Sequence, residues 1–298
     1  MSKLIKSCIL LVLIIGVLSG CQPKTNEKTE NGDQTGGVNA NKDVTITFGV
    51  TPWTSTAPPT EIAIKILEDM GYNVEAINAD AGGVYAGLSK GDIDVFMDAW
   101  LPDMHKNYIE KFGKNIDDTS VSYPDGELGW VVPTYVEGIN SIEDIKGRED
   151  EFGSKVYGIE EGAGMTMTSK EMIDAYGLDL QYVASSEAGM LAQSSKLIKD
   201  EKPVVFLGWR PHPMFVNYDL KVLKDPKGYF KTSEVHVMTN KELKDKAPEA
   251  YTFLSKWNID IEDVEKMIVE IDGGKSAEDV AEEWISQNQD KVNEMMGK

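Results

Sequence analysis

The strongest constraint on the fold is an alternation of short apolar strands with amphipathic helices, run through twice. Val44 to Val50 reads as a strand. Thr60 is placed to cap a helix whose Ile62, Ile66 and Met70 share one face, with Gly71 to end it. A strand over Asn73 to Ile77 and a helix around Val84 to Lys90 follow. A third strand, Ile93 to Met97, runs straight into Asp98-Ala99-Trp100. A β-α-β-α-β order needs a mainly parallel sheet with helices on its faces. The pattern restarts with a strand at Lys155 to Ile159 and a helix from near Met165 to Tyr176. A strand at Gln181 to Ala184, a helix over Ala188 to Asp200 and a strand at Pro203 to Leu207 complete it, before a loop from Gly208 to Phe215. Val131 to Pro133 going out and Val235 to Met238 coming back are expected as strands that link the two units. Helices over Lys241 to Trp257, over Ile261 to Ile271 and from Ser276 through Trp284 end the pattern, the last with Ser276 and Asp279 at capping-box spacing. Two α/β lobes joined this way leave a cleft between them, where small ligands usually bind.

The first 20 residues read as a processing signal. Lys3 and Lys6 give a basic start, and Ile9 to Leu18 is an apolar run too short to span a bilayer with acceptable flanks. It ends at Leu18-Ser19-Gly20-Cys21, which resembles the bacterial lipoprotein signal: small residues for the peptidase, then a cysteine for lipid. Several acyl chains on Cys21 would anchor the protein to the membrane. Cys8 leaves with the signal and Cys21 carries lipid, so neither of the 2 cysteines is available for a disulfide in the folded body. Gln22 to about Asp43 is polar, lacks a hydrophobic period and reads as a flexible tether. The formal charge of −20 argues against nucleic acid and anionic lipid surfaces as partners. It does not argue for a cationic substrate, because acidic residues spread over surface helices are ordinarily solvated.

Two tryptophans stand at the carboxyl ends of neighbouring strands, Trp53 after the first and Trp100 after the third. In open parallel sheets that edge is the ligand edge. Indole faces attract a bulky onium cation, which has no N–H for a carboxylate to grip, at about 0.5–2 kcal/mol per ring. The bland alternative is that each packs in the core. Trp209 ends a strand at the cleft edge, beside a Pro211 that also suits a structural turn. Trp130 reads as packing, and Trp257 and Trp284 as helix-face core residues.

The second unit opens with Gly158-Ile159-Glu160-Glu161-Gly162-Ala163-Gly164-Met165. Gly162 and Gly164 let the chain turn tightly and bring consecutive N–H groups near a ligand. The start of the following helix then offers a small carboxylate hydrogen bonds and a favourable field. The phosphate-loop pattern fails for want of a following Gly-Lys-Ser/Thr, and the dinucleotide pattern fails on spacing; a plain tight turn remains the alternative. His105, five residues past Trp100, is placed to donate to the same carboxylate, and His212 reads as a loop residue behind the site. Scattered histidines and no clustered thiols give no metal site and no cofactor site. No nucleophile turn is present, and the adjacent Glu160 and Glu161 would point apart, so catalysis is not expected.

In this order the marks are Trp53-Thr54, Gly91-Asp92-Ile93-Asp94, Ala99-Trp100-Leu101-Pro102 with His105, Gly129 to Pro133, the Gly158 to Met165 turn, and Gly208-Trp209-Arg210-Pro211-His212. Over roughly residues 45–290 the chain resembles the glycine betaine-binding lipoproteins of bacterial ABC importers. The resemblance implies a type II periplasmic-binding-protein-like fold of the α/β class with the ligand in the cleft between lobes. It implies cage walls at Trp53 and Trp100, a carboxylate cradle at the amides of Gly164 and Met165, and a carboxylate contact from His105. Where such proteins take a third tryptophan from the second lobe this chain has Leu180-Gln181-Tyr182, so either Tyr182 substitutes with a slight shift or the cage is more open; Tyr182 and Trp209 are both counted among ligand-binding candidates. Pro213, too, stands where an aromatic is frequent. The implied organisation is a signal over 1–20, a lipidated tether over 21–43, a first lobe from 44–145 with 235–298, and a second lobe over 146–234. The implied role is a monomer on the extracytoplasmic face of the cell membrane that captures a small zwitterionic osmolyte for a membrane permease. Carnitine, proline betaine, choline or a sulfonium solute are alternative ligands, and an enzyme or an adhesive lipoprotein the rival classes.

Overall fold

The computed structural model describes residues 43–298. The expected signal, the lipidated Cys21 and the tether up to residue 42 lie outside the described residues. The chain begins with β1 (Thr45–Val50), α1 (Ala57–Asp69), β2 (Asn73–Asn78), α2 (Ala81–Lys90) and β3 (Val95–Leu101). β1 pairs in parallel with both β2 and β3, as the alternation requires. Val95 to Trp100 are all buried, the signature of a strand covered on both faces. The helix boundaries follow local chemistry. α1 starts at Ala57 rather than at Thr60, because Pro58 and Pro59 suit a first turn whose N–H groups have no helical acceptor; Thr60 is buried inside the helix. α2 is capped by the Asp80 side chain, which accepts from Gly83 N–H, and is stopped by Gly91 at φ 82°.

After α3 (Lys106–Phe112) and β4 (Ile116–Gly126), the chain leaves this sheet at Glu127 and enters a second one. The second sheet holds β5 (Leu128–Pro133), β6 (Lys155–Gly158), β7 (Gln181–Ala184), β8 (Phe206–Trp209) and β9 (Leu220–Val222) in the order β7-β6-β8-β5-β9. Its helices are α4 (Gly164–Tyr176), α5 (Glu187–Lys199) and the short α6 (Met214–Asn217). β6 is parallel to β7 and β8, whereas β5 runs antiparallel to its neighbours β8 and β9. The chain then returns to the first sheet as β10 (Ser233–Asn240), which inserts antiparallel between β3 and β4 and gives the order β2-β1-β3-β10-β4. The helices α7 (Leu243–Lys246), α8 (Pro248–Ser255), α9 (Ile261–Asp272), α10 (Ala277–Gln287) and α11 (Gln289–Met295) finish the first lobe, with α10 packed on α1.

The two-lobed α/β architecture is as expected, with three corrections. The segment Val131 to Pro133, expected to link the lobes and grouped with the first, belongs wholly to the second sheet. The lobes therefore divide at Glu127 and near Ser233 rather than at 145 and 235. The single helix expected from Lys241 to Trp257 is two, since Pro248 has no N–H to continue a helix and instead starts α8. Trp100 lies inside β3 rather than after it, while Trp209 ends β8 as expected.

Candidate functional site

Trp53, Trp100 and Trp209 meet in one small cavity between the two sheets. Each reaches it from the carboxyl end of a strand: Trp53 from the loop after β1, Trp100 from β3, Trp209 from β8. All three are nearly closed off from solvent, at 7%, 5% and 3% exposed. Burial and cavity lining are thus compatible: the indoles are covered because the lobes are shut over them. Trp130, by contrast, is a packing residue, fully buried with its Nε1–H on Ser169 Oγ at 2.9 Å.

Asp98 sets the Trp100 wall. Residues two apart on a strand share a face, and the Trp100 indole Nε1–H donates to Asp98 Oδ1 at 2.9 Å. The other oxygen accepts from Ser55 Oγ at 2.8 Å and Thr56 Oγ1 at 2.6 Å. One carboxylate therefore fixes both the Trp100 ring and the loop that carries Trp53. Burial raises its pKa to about 6 against the pull of these three donors, and the nearby charge of Glu187 adds to the rise. Gly126 makes room on the other side of the ring, since a Cβ there would lie 2.6 Å from Trp100 Cζ3.

The opposite end of the cavity is built from donors. Gly164 and Met165 open α4, and amides in the first turn of a helix have no intrahelical acceptor. Ala163 gives no side-chain cap, and all three residues line the cavity. His105 lines it too, from the first lobe. Its Nδ1 accepts the Trp100 backbone N–H at 3.2 Å and lies 3.1 Å from Tyr85 Oη. A backbone N–H can only donate, so in the neutral ring the proton sits on Nε2. Burial depresses the pKa to about 3, so His105 is neutral and offers an Nε2–H without bringing a positive charge.

The lobes touch around this cavity. A Cβ on Gly164 would fall 2.1 Å from the Met104 carbonyl oxygen, so only glycine allows the two backbones this close. Tyr108 Oη donates to the Gly162 carbonyl, Trp53 Nε1–H to Glu160 Oε1 at 2.9 Å, and Thr54 N–H to Glu187 Oε2 at 3.1 Å.

Tyr182, expected as the third wall, is outside the cavity. Its hydroxyl pairs with Thr166 Oγ1 at 2.7 Å, and its ring lies over Gly158, where a Cβ would meet the phenol oxygen at 1.8 Å. It braces the turn before α4, and the third aromatic position is held by Trp209, edge-on to His212 with ring centroids 4.7 Å apart. Sequence reading gave no role to Asp98, Glu187 and Gly126, and weighed Glu160 only as a catalytic acid. Asp98 did carry a signal, a lone carboxylate in an otherwise apolar strand, because unpaired buried acids are rare. The two glutamates carried none. No group of three or more His, Cys, Asp or Glu among the described residues could hold a metal.

Comparison with known proteins points one way. The family described as the substrate-binding domain of ABC-type glycine betaine transport systems matches residues 44–287. The glycine betaine/carnitine transport binding protein GbuC of Listeria monocytogenes is 38% identical over 141 residues, 46% of this chain and 47% of that protein. The carnitine transport binding protein OpuCC of the same species is 27% identical over 156 residues, 50% of this chain and 48% of the relative. The chain thus spans about half the length of these curated relatives. The crystal structure of lactococcal OpuAC, closed around glycine betaine, superposes with a TM-score of 0.81 at 32% identity, covering 85% of this chain and all (100%) of that one. An ABC-transporter choline-binding protein in complex with choline superposes at 0.79 with 26% identity, covering 85% and 91% of the two chains.

Proposed function

The chain belongs to the family of substrate-binding domains of ABC-type glycine betaine transport systems, and from that premise we propose that it captures a quaternary-ammonium carboxylate outside the cytoplasm for a membrane permease. The onium head rests on Trp53, Trp100 and Trp209. The carboxylate takes the Gly164 and Met165 amides and the His105 Nε2–H. Cys21 carries the lipid that keeps the protein at the extracytoplasmic face of the membrane. One observation carries the reading: three indole walls and an uncapped helix N-terminus line the same cavity. A cation without N–H groups is held by ring faces, each at about 0.5–2 kcal/mol and most strongly where water is excluded. Its acidic tail gains charge-assisted bonds at the helix start. Each end alone is modest, and a solute of the right length satisfies both.

A second reading, choline, is favoured by the buried carboxylate of Asp98 beside the indoles and by the likeness to a choline-binding structure. Titration calorimetry with glycine betaine, proline betaine, carnitine, choline and a sulfonium analogue separates the two. We expect the carboxylated onium solutes to bind and choline to bind more weakly. Choline binding above all betaines would move the assignment to the second reading, and no heat with any onium solute would overturn both. For the anchor, labelled palmitate should enter the wild type in cells and fail to enter Cys21→Ser.

A further inference from the structure

Adjacent residues of the first lobe, Trp53 and Thr54, each give an N–H to a different carboxylate of the second lobe. We propose that Glu160 and Glu187 form a clasp that fixes the Trp53 wall in place only when the lobes close, and that the clasp governs how long a solute is retained; the inference rests on the ligand reading above. The second lobe by itself orients the Glu187 carboxylate and anchors the backbone of Glu160. Glu187 is the first residue of α5, where the helix field favours a carboxylate. Its Oε1 lies 3.1 Å from His212 Nε2, and His212 Nδ1 accepts the Met214 N–H at 2.9 Å. That amide fixes the tautomer, so His212 donates through Nε2 and leaves Glu187 Oε2 aimed across the cleft at the Thr54 N–H. Glu160 sits in the turn before α4, tied down by the Ala163 N–H on its own carbonyl at 3.1 Å.

The first lobe brings the donors. Trp53 stands in the loop between β1 and α1, and its indole has one N–H, which is spent on Glu160. Its ring lies against His105 with centroids 5.7 Å apart, so the clasp presses one wall of the onium cage toward the carboxylate-binding histidine. With the lobes apart, these two N–H groups would meet water. Closing replaces that water with bonds to carboxylates in a partly buried contact. Such bonds form after encounter, so they act on dissociation far more than on association.

The chemistry separates the two glutamates. Glu160 receives one donor, so Glu160→Gln keeps an oxygen for Trp53 and should release solute at close to the wild-type rate, whereas Glu160→Ala should release it about tenfold faster. Glu187 receives donors on both oxygens. In Glu187→Gln one of them becomes an NH₂ facing another donor, so this variant should resemble Glu187→Ala, again about tenfold faster. Stopped-flow tryptophan fluorescence with glycine betaine on the mature protein reads these rates, with association expected to stay within about twofold. Circular dichroism and melting of each variant without solute identify any that misfold, and the Glu160→Gln and Glu160→Ala pair then carries the test. Equal dissociation rates in all four variants and wild type, or an equal loss in Glu160→Gln and Glu160→Ala, would overturn the clasp. Inter-lobe distances from spin labels in the solute-free protein give a readout that needs no ligand: both alanine variants should spend less time closed than wild type, and unchanged distance distributions would count against the clasp. Failure of wild type to bind any onium solute would instead sink the functional reading.

Discussion

Asp98 and Gly164 show how single residues set the site. The Asp98 carboxylate takes three donors while buried, and its pKa stands at about 6. Its charge is therefore present at neutral pH and is lost as pH falls through about 6, while His105, with its pKa lowered to about 3, stays neutral across that range. Affinity for an onium solute should weaken as pH is lowered from 7 to about 5 and should be flat over that span in Asp98→Asn, as calorimetry at several pH values would show. Asp98→Asn should also cost glycine betaine about tenfold in affinity, while the uncharged isostere 3,3-dimethylbutanoate loses little, because only the former carries a cation for the carboxylate to attract. Folding stability is a poorer reporter. Between about pH 4 and 6 the raised Asp98 pKa makes the folded state take up a proton and gain stability as pH falls. The lowered His105 pKa makes the unfolded state take one up and removes stability over the same interval. Gly164 acts by absence of a side chain. Gly164→Ala places a methyl against the Met104 carbonyl, so binding should weaken by about tenfold or more with the solute-free melting temperature little changed, since the clash exists only between closed lobes.

At the level of elements, α4 is the part whose start carries the proposed carboxylate contact. Proline is tolerated in a first helical turn, and α1 of this protein carries Pro58 and Pro59 there. Met165→Pro should accordingly leave the fold intact while removing one amide donor. Glycine betaine should lose about tenfold in affinity and choline, which has no carboxylate, should lose much less; equal losses for both would point to distortion of the turn. The strands and helices around the site were legible from local pattern: β1, β2, β6 and β7 fall within a residue or two of expectation, as do the starts of α4 and α5. β4 was not. Its sequence Ile116 to Gly126 is rich in Asp, Ser and Thr with Pro124 inside, and it becomes a strand by pairing with β10, a partner more than a hundred positions away in the chain. The Lys241–Trp257 helix failed for the opposite reason, since the proline that splits it was visible and apolar periodicity was allowed to outweigh it.

On the scale of the molecule, two connections join the lobes, at Glu127 and between β9 and β10, so a hinge motion bends few residues. Solute that bridges the lobes should stabilise the whole body. At glycine betaine a hundredfold above its Kd the gain is about 2.7 kcal/mol, which for a body of this size corresponds to a rise of roughly 5–10 °C in Tm, measurable by calorimetry. Small-angle scattering should show the glycine betaine complex more compact than the solute-free protein, and no change in radius would argue against closure on binding.

The sequence by itself determined the alternation of strands and helices, hence two α/β lobes, and placed Trp53, Trp100, His105 and the turn before α4 at strand ends and a helix start. Those features depend on neighbours within a few positions, where apolar period, prolines and glycines act directly. The tertiary structure decided that Trp209 and not Tyr182 lines the cavity with Trp53 and Trp100, that β5 belongs to the second sheet, and that Glu160 and Glu187 reach Trp53 and Thr54 from 107 and 133 positions away. These contacts arise only where the two lobes meet, and no local pattern encodes which side chain will meet which across the cleft.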